Sequence, residues 1–258
     1  MSGYSKIAPY YTGLFPLSDE AKGFLETYLC RAVKRGERWL DVGCGTGNLL
    51  MWLFEREVDA YGLEPDRDFA AEAKRRIREQ FAENGPPARR KSSGVIEGYM
   101  SGLGNLERGV PYGVASCLGN TLAHAANLDE VRNYFRDLSA KLTPDGIAIV
   151  QIVNYDKILA NPDWKFPVLE RTTPDGTELS FHRNYALVKK ASGDLIRFET
   201  LLCAGEETFR NCVWLCPIRK DALVDAAHPC FETIEGFGDF KRTPWSADSA
   251  ATILVAKR

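Results

Sequence analysis

The chain lacks the features that mark membrane-spanning, secreted and nucleic-acid-binding proteins. No apolar run approaches the roughly 18 residues that a membrane-spanning helix needs, and the opening MSGYSKIAPYY has no apolar core of a secretory signal. The 33 basic and 35 acidic residues leave a formal net charge of −2, so no overall field draws the chain to nucleic acid or to an anionic membrane. These absences predict a cytoplasmic protein with no nucleic-acid or membrane partner.

The chain also lacks a disulfide framework and a recognisable metal motif. Its seven cysteines are scattered and odd in number, a pattern typical of reduced, buried thiols. Cys212 and Cys216 have no second cysteine or histidine pair beside them, so no metal site is expected. A basic stretch at 74–78 (KRRIR) falls in a helical pattern, and we interpret it as a solvated helix face.

Apolar strand-like runs alternate five times with helical patterns over the first 153 residues. The predicted strands cover 39–42, 58–64, 94–98, 112–118 and 147–153. The predicted helices cover 19–33 with Ser18 as N-cap, 48–55, a segment opened by Asp66, and a segment that starts at an Asn127/Glu130 capping box and ends at the TPDG sequence of 143–146. This alternation predicts a parallel sheet with helices on both faces.

The rhythm changes after residue 160. The stretches ELSFHRNYALVKK, DLIRFETLLCA and TFRNCVWLCPI read as strands without helices between them, which predicts an antiparallel insert. A short helix at 219–227 and strands at 231–237 and 250–257 then close the sheet. We expect an α/β fold, with a doubly wound, mostly parallel, seven-stranded sheet and an antiparallel β insert after the fifth strand.

Three glycines, Gly43, Gly45 and Gly47, directly follow the first predicted strand in the sequence WLDVGCGTGNLL. In an open α/β sheet, ligands bind beyond the carboxyl ends of the strands. Glycine permits positive φ and close backbone approach, and the next helix presents free N–H groups to a ligand. Asp41 ends the strand, where it can brace the loop or reach a ligand ammonium through water. The alternative is a tight strand–helix turn with no ligand.

Glu64 ends the second predicted strand, 21 residues after Gly43. A carboxylate at this place can accept both hydroxyls of a ribose, so the ligand is predicted to be a nucleoside derivative. The dinucleotide fingerprint G-x-G-x-x-G would need a third glycine at position 48, which is Asn48. The spacing therefore disfavours a pyrophosphate.

The segment DVGCGTG, with an acid ending the next strand and LTPDG before a long fifth strand, resembles motif I of the class I S-adenosylmethionine-dependent methyltransferases. CLGNTLAH (117–124) and NYD (154–156) resemble the glycine and sarcosine N-methyltransferase-like branch, as does the segment from Tyr4 to Tyr11 followed by LFPLS. The resemblance implies a Rossmann-like methyltransferase fold with S-adenosylmethionine as cofactor. It predicts an N-terminal lid or helical segment (1–35), a cofactor-binding domain (36–160 and 219–258) and an insert (161–218) that shapes the acceptor pocket.

The residues that this resemblance assigns to the cofactor lie in the glycine loop and after the second, third and fourth strands. They are Asp41, Gly43, Cys44, Gly45, Gly47, Glu64, Pro65, Met100, Leu118, Gly119 and His124. The sequence departs from the family pattern at two places. Position 99, which often carries an acid that frames the adenine, is Tyr99, and the usual F-D before the fourth strand is Tyr112-Gly113. The construction of the adenine pocket therefore stays open.

The residues predicted to act in methyl transfer are Asn120, His124, Tyr155 and Tyr11. By resemblance, the backbone and amide of Asn120 meet the methionine end of the cofactor or an acceptor carboxylate. His124 either contacts the cofactor or serves as a capping or packing side chain. Tyr155, after Asn154, either faces the acceptor or packs under the insert.

Two further alternatives concern the edges of the predicted site. Tyr10 and Tyr11 either fold over it as a lid or pack the N-terminal segment. Arg183, in FHRNY, either pairs with an acceptor carboxylate or belongs to a surface ion pair.

The predicted function is transfer of a methyl group from S-adenosylmethionine, by in-line displacement, to a small polar acceptor for which an amine is the candidate. Alignment of the reactants is the main catalytic device, and ordered geometry can supply about 7–11 kcal/mol. Two alternatives stay open: a protein that binds the nucleoside without turnover, and a nicotinamide-dependent oxidoreductase. The sequence predicts neither the accepting atom nor the oligomeric state.

Overall fold

The computed structural model describes residues 7–84, 94–106, 109, 111–161, 165–173, 175–191 and 193–258. Its strands are β1 (Arg38–Val42), β2 (Ala60–Glu64), β3 (Gly94–Glu97), β4 (Tyr112–Cys117), β5 (Leu142–Val153), β6 (Leu169–Thr172), β7 (Glu178–Val188), β8 (Leu195–Ala204), β9 (Glu207–Leu215), β10 (Thr233–Phe237) and β11 (Ala251–Lys257). Its helices are α1 (Ala8–Leu14), α2 (Asp19–Arg35), α3 (Asn48–Phe54), α4 (Arg67–Asn84), α5 (Leu128–Ser139), α6 (Tyr155–Ala160) and α7 (Lys220–Ala227). Short 3₁₀ turns cover Met100–Asn105 and Thr121–His124.

A seven-stranded sheet forms the centre of the fold, in the order β3-β2-β1-β4-β5-β11-β10. The pairs among β1 to β5 are parallel, whereas β11 runs antiparallel to both β5 and β10. The strand order reverses between β1 and β4, and at such a point the carboxyl ends of the strands leave a crevice for a ligand. This sheet confirms the predicted doubly wound, mostly parallel fold.

Alternating residues of the central strands feed two hydrophobic cores. In β5, Ile147 and Ile149 pack with α2, α3 and α4 on one face, while Ala148, Val150 and Ile152 pack with α5 and α7 on the other. Burial on both faces explains why this strand is apolar at nearly every position. The same packing on both faces holds in place the strand ends beside which the candidate site lies.

Side-chain caps fix where two of the helices begin. Ser18 Oγ accepts the N–H of Ala21 at 3.1 Å, as predicted for α2. Asn127 Oδ1 accepts the N–H of Glu130 at 3.0 Å, and the Glu130 carboxylate reaches back to the N–H of Ala126 at 2.6 Å. The reciprocal bond of the predicted capping box therefore lies one residue earlier than the standard motif places it.

The predicted insert is a separate four-stranded antiparallel sheet in the order β6-β7-β8-β9. Side chains alternate between its faces, and one face packs on the rest of the molecule; we call this the inner face. Its buried or half-buried members include Phe181, Tyr185, Phe198, Leu202 and Phe209. The outer face carries more polar and exposed side chains.

Helix α1 lies between the insert and the central domain. Its residues Ile7, Ala8 and Leu14 share one buried cluster with Phe69 of α4 and with Leu202 of the insert. The N-terminal segment thus joins two parts of the chain that are distant in sequence. Residues 1–6, including Tyr4 of the resemblance, lie outside the described residues.

Three local predictions were wrong or incomplete. The fifth strand begins at Leu142, not at 147, because a register shift opposite Tyr112 and Val114 absorbs Thr143–Gly146 as an irregularity inside the strand. Helix α6 and strand β6 were not predicted as elements; Asn154 caps α6 by accepting the N–H of Lys157 at 3.4 Å. The domain boundaries stay a prediction. Among the helices that the structure describes, none is long and apolar enough to cross a membrane.

We expect Leu202→Ala to lower the free energy of unfolding by about 2–5 kcal/mol, because it leaves a cavity in the cluster that joins α1, α4 and the insert. Leu202 is 0% exposed. Its neighbour Leu201 points to the outer face, so Leu201→Ala is the matched control and should cost far less. Chemical denaturation of the two variants measures both values, and equal losses would contradict the assignment of the faces.

Candidate functional site

The glycine loop is wedged between the end of β2 and the turn after β4. The N–H groups of Gly43 and Cys44 both donate to the carbonyl oxygen of Leu63, at 2.7 and 3.2 Å. All three glycines of the loop have positive φ, at 75°, 55° and 84°. A Cβ on Gly43 would overlap the side chain of Thr121. Glycine is therefore required there both for its conformation and for close approach of the two loops.

Glu64 holds this loop from the adjoining strand. One carboxylate oxygen accepts the N–H of Gly45 at 2.9 Å, and the other accepts the N–H of Asp66 at 2.9 Å. The residue is 6% exposed, and burial raises its pKa to about 7 against the opposing effect of the two N–H donors. A carboxylate offers about four lone-pair positions, so each oxygen can still accept a further hydrogen bond.

Asp41 braces the strands beneath the loop. It is 4% exposed, and its carboxylate accepts a hydrogen bond from Ser116 Oγ at 2.8 Å. Trp39 Nε1 donates to the same hydroxyl at 2.9 Å, which links β1 to β4. Burial raises the pKa of Asp41 to about 7, and the charge of Glu64 adds to this effect. Of the two roles open to Asp41, the bracing contact is the one seen in the structure.

The turn after β4 carries Gly119 and Asn120 in consecutive left-handed conformations, with φ of 66° and 68°. The Asn120 amide oxygen accepts the N–H of Val153 at 3.1 Å. Its amide nitrogen donates to the hydroxyl of Tyr155 at 3.0 Å and lies 3.4 Å from that of Tyr185. Asn120 is thereby fixed to the end of β5, to α6 and to the insert.

Tyr155 is buried at 0% exposure, and its ring stacks on that of Tyr185 with centroids 6.5 Å apart. Burial raises the pKa of the Tyr155 hydroxyl well above its usual range and that of Tyr185 to about 12. Both hydroxyls are therefore neutral at physiological pH. Tyr155 therefore contacts Asn120 from within the hydrophobic core.

Helix α1 covers the glycine loop with Tyr11. An added Cβ on Gly45 would lie 3.5 Å from the Tyr11 ring, which packs between Phe15 and Phe69 at centroid distances of 4.9 and 4.6 Å. Burial and the charge of Glu64 raise the pKa of Tyr11 to about 12. Tyr10 instead points to the insert, with its ring 6.0 Å from that of Phe209. The two tyrosines therefore contact different neighbours, Tyr11 the glycine loop and Tyr10 the insert.

Arg76 contacts the glycine loop, which the sequence did not reveal. Its Nη1 donates to the carbonyl oxygen of Thr46 at 2.6 Å, to Asn48 Oδ1 at 2.8 Å and to Thr12 Oγ1 at 3.3 Å. Thr12 and Thr46 also share a 2.9 Å hydrogen bond, and Asn48 Nδ2 donates to the carbonyl of Phe15 at 2.8 Å. Arg76 therefore ties α1 to the glycine loop.

The prediction of a solvated basic face was wrong for Arg76 and fits its neighbours. Lys74 pairs with Glu97 at 2.6 Å, and Arg75 pairs with acids on its own helix, all near the surface. No signal in the sequence separated Arg76 from these residues, because its partners come from other elements.

The remaining predicted residues line the periphery. His124 ends its 3₁₀ turn with an exposed side chain, and desolvation lowers its pKa. Met100 opens the other 3₁₀ turn and is half-buried, and Pro65 is exposed. Cys44 is buried, and burial raises the pKa of its thiol well above the usual range. Tyr99 is 69% exposed.

Comparison with known families decides the class of protein. A family described as a methyltransferase domain matches residues 18–185, more than half of the chain. The chain belongs to this methyltransferase family. As its glycine motif predicted, it is a class I S-adenosylmethionine-dependent methyltransferase, and its fold is the Rossmann-like methyltransferase fold.

Individual relatives agree with this assignment. A glycine/sarcosine N-methyltransferase from Halorhodospira halochloris is 27% identical over 249 residues, which cover 95% of this chain and 84% of the relative. A methyltransferase structure from Clostridium acetobutylicum ATCC 824 has a TM-score of 0.71 at 15% identity, with 98% of each chain covered. The S-adenosylmethionine-bound amino pentose methyltransferase CalS10 from Micromonospora echinaspora has a TM-score of 0.58 at 18% identity, with 93% of this chain and 92% of that chain covered.

The residues at the loop fit S-adenosylmethionine, the cofactor of this methyltransferase. The three glycines remove side chains from the crevice, and Glu64 keeps lone pairs for ribose hydroxyls at its rim. The Tyr11 ring beside Gly45 offers an aromatic surface of the kind that attracts a sulfonium. When bound, the cofactor supplies an electrophilic methyl group.

We expect the free energy of unfolding to fall as pH rises from about 4 to about 7, and Glu64→Gln to remove part of this fall, because buried Asp41, whose pKa is also about 7, contributes the rest. The folded chain retains a proton on Glu64 up to about pH 7, whereas the unfolded chain releases it near its ordinary value of about 4.3. Folding therefore binds a proton across this window, and stability declines as the proton is lost. Denaturation in a pH series measures the slope.

Glu97→Gln is the matched control for this experiment. Glu97 is the register partner of Glu64 on β3, but it is exposed and Lys74 lowers its pKa. Its loss should leave the slope between about pH 5 and 7 unchanged. An unaltered slope in Glu64→Gln would mean that Glu64 is ionised throughout.

We expect Arg76→Met to free helix α1 while the fold stays intact. Hydrogen bonds from a charged donor are worth about 1.5–3 kcal/mol, so local opening should rise by about tenfold or more. Chymotrypsin cleavage after Tyr10 or Tyr11 reports this opening. Arg75→Met removes an exposed neighbour and should cleave at the wild-type rate; equal rates for the two variants would contradict the tie.

Proposed function

We propose that this methyltransferase methylates the nitrogen of a small, polar amine. The observation that carries the proposal is the close approach of three elements: α1 over the glycine loop, the Gly119-Asn120 turn, and the inner face of the insert. Tyr11 reaches the loop, Tyr185 reaches Asn120, and Phe15 of the N-terminal segment meets Phe181 of the insert at 5.4 Å. These contacts favour a small molecule over a macromolecule.

The cofactor-binding residues belong to this proposal. Asp41 would brace the loop, Gly43, Cys44, Gly45 and Gly47 would provide its main chain, and Glu64 would accept the ribose hydroxyls. Pro65, Met100, Leu118, Gly119 and His124 would complete the walls. The hydrogen bonds of Glu64 to Gly45 and Asp66 support this assignment, because they fix the carboxylate beside the loop.

Asn120 would orient the acceptor, and its neighbours would position Asn120. Because Tyr155 is fully buried, we propose that it acts through the Asn120 amide and not by contact with the acceptor. Tyr11 would close the site from the N-terminal side. None of Asn120, Tyr155 and Tyr185 carries a charge at physiological pH, so these groups align the nucleophile and do not act as a strong base.

An amine acceptor must reach the site without its proton. Removal of water from an ammonium group lowers its pKa, so a dry pocket favours the neutral, nucleophilic amine. The aromatic side chains of the lid and insert provide such surroundings. The name of one relative, a glycine/sarcosine N-methyltransferase, supports nitrogen as the accepting atom. The name of the structural neighbour CalS10, an amino pentose methyltransferase, agrees with an acceptor that carries an amino group.

We expect Glu64→Ala to weaken binding of S-adenosylhomocysteine severalfold or more. At a ligand concentration one hundred times its dissociation constant, the wild type should gain about 2.7 kcal/mol, or about 5–10 °C in melting temperature. Glu64→Ala should show a much smaller shift, and Glu97→Ala the full one. An unchanged shift in Glu64→Ala would remove Glu64 from the ribose.

The accepting atom is tested by transfer of a labelled methyl group to matched amines, alcohols and thiols of the same carbon skeleton. We expect label in the amines alone. Label in the alcohols or thiols would contradict the nitrogen acceptor.

A further inference from the structure

A row of three polar side chains crosses the inner face of the insert. Arg183 of β7 is opposite Thr200 of β8, and Thr200 is opposite Asn211 of β9. The Cβ atoms of such cross-strand neighbours lie about 4.5–5.5 Å apart. The three side chains therefore form one continuous polar strip, although they come from three strands.

The strip lies between two hydrophobic layers. On one side, Phe181, Leu202 and Phe209 belong to the cluster around α1. On the other, Tyr185 and Phe198 pack towards the core beneath Asn120, with their rings 4.9 Å apart. Thr200 itself is 6% exposed. Polar groups in such surroundings cost stability unless they have partners.

The strip is rich in hydrogen-bond donors that have no acceptor. Arg183 Nε and Asn211 Nδ2 are buried and lack a hydrogen-bond partner in the part of the chain that the structure describes. Arg183 Nη2 donates to the carbonyl oxygen of Pro167 at 3.0 Å, and the guanidinium lies 4.8 Å from the centre of the Phe166 ring. The surface ion pair that was the alternative for Arg183 is not formed with any described carboxylate.

The guanidinium of Arg183 is thus half-buried, and no carboxylate among the described residues pairs with it. Desolvation lowers its pKa, though a guanidinium stays protonated. A cation held in this way is stabilised when an anion joins it. The charge of Arg183 and the unused hydrogen-bond donors of the strip both favour an anionic ligand.

We propose that Arg183, Thr200 and Asn211 form a carboxylate-binding subsite, so that the acceptor is an amine that also carries a carboxylate. This inference rests on the proposed function for the identity of the other end of the molecule. One positive charge and neutral donors match a single monoanionic carboxylate, which a guanidinium binds in bidentate geometry.

The position of the strip supports this orientation. Tyr185 lies two residues from Arg183 on the same face, and side chains so spaced on a strand are about 6.6–6.8 Å apart. The Tyr185 hydroxyl lies 3.4 Å from the Asn120 amide nitrogen. An acceptor anchored by its carboxylate on the strip extends its amino end towards Asn120.

Binding of acetate in the absence of cofactor tests the subsite directly. Sodium acetate should raise the melting temperature of the wild type relative to acetamide and to sodium chloride at equal ionic strength. Arg183→Met should weaken acetate binding by about tenfold or more, because a charged hydrogen-bond donor is lost. Arg183→Lys should keep part of it.

Arg210→Met is the matched control. Arg210 is opposite Leu201, so its side chain lies on the outer face of the same sheet. It lines an open groove of about 400 Å³ that Thr200 and Asn211 also border. It should bind acetate as the wild type does. Three outcomes would each overturn the carboxylate assignment. They are equal acetate binding in Arg183→Met and Arg210→Met, no effect of acetate on the wild type, and tighter binding of inorganic phosphate than of acetate.

Two further variants keep the test independent of any loss of folding at Arg183. Thr200→Val removes a hydroxyl at nearly constant volume, and Asn211→Asp places a negative charge on the strip. Both should weaken acetate binding, Asn211→Asp more strongly. Unchanged affinity in folded Asn211→Asp, as judged by its circular dichroism, would contradict the subsite.

Kinetics separate this inference from the proposed function. With ω-amino acids of increasing length and their amides as acceptors, Arg183→Met should raise KM for the acids by about tenfold and change kcat and the amide reactions little. Acetate binding without methyl transfer to any amine would overturn the proposed function and leave the subsite standing. Methyl transfer with equal KM shifts for acids and amides would overturn the subsite and leave the function standing.

Discussion

The carboxylate of Glu64 accepts the main-chain N–H groups of Gly45 and Asp66, and the geometry of the cofactor loop depends on these two hydrogen bonds. A loop of three glycines has little conformational preference of its own. Here an acid on the adjoining strand fixes it, while Thr121 fills the space that a side chain at Gly43 would need. Burial of Glu64 opposes its ionisation, so the site keeps a group whose protonation changes near neutrality. Burial of this carboxylate therefore costs stability at the proposed ligand-binding site.

The N-terminal helix extends this arrangement to the rest of the chain. Arg76 holds the loop and α1 together through Thr46, Asn48 and Thr12, and the aromatic cluster of Tyr11, Phe15 and Phe69 packs above it. The same helix rests on the insert through a shared hydrophobic cluster. Helix α1 therefore connects the glycine loop to the insert through direct contacts.

The insert serves a different purpose from the central sheet. Its inner face has apolar layers that dock it and a polar strip, formed by Arg183, Thr200 and Asn211, that docking does not satisfy. In the central domain the buried polar groups near the site, such as Asp41 and Ser116, find partners within the protein. This contrast is the physical basis of our proposal that the central domain binds the cofactor and the insert selects the acceptor.

The local pattern of the sequence was sufficient to predict the fold and the cofactor. Strand and helix periods, the glycine spacing and the acid after the second strand are short-range features, and each has a direct physical reading. Irregular pieces were missed because they obey no period. The TPDG sequence is typical of the end of a helix, yet the shifted register with β4 includes it in β5. Helix α6 is too short for its sequence to show a helical periodicity.

Tertiary structure alone decided which polar residues act together. Arg76 looks like its basic neighbours until α1 and the loop supply its partners, and the row of Arg183, Thr200 and Asn211 exists only through the register of three antiparallel strands. The sequence thus determined the class of chemistry, because that class depends on local backbone conformation. The proposed carboxylate-binding strip depends on long-range strand pairing, which no local pattern contains.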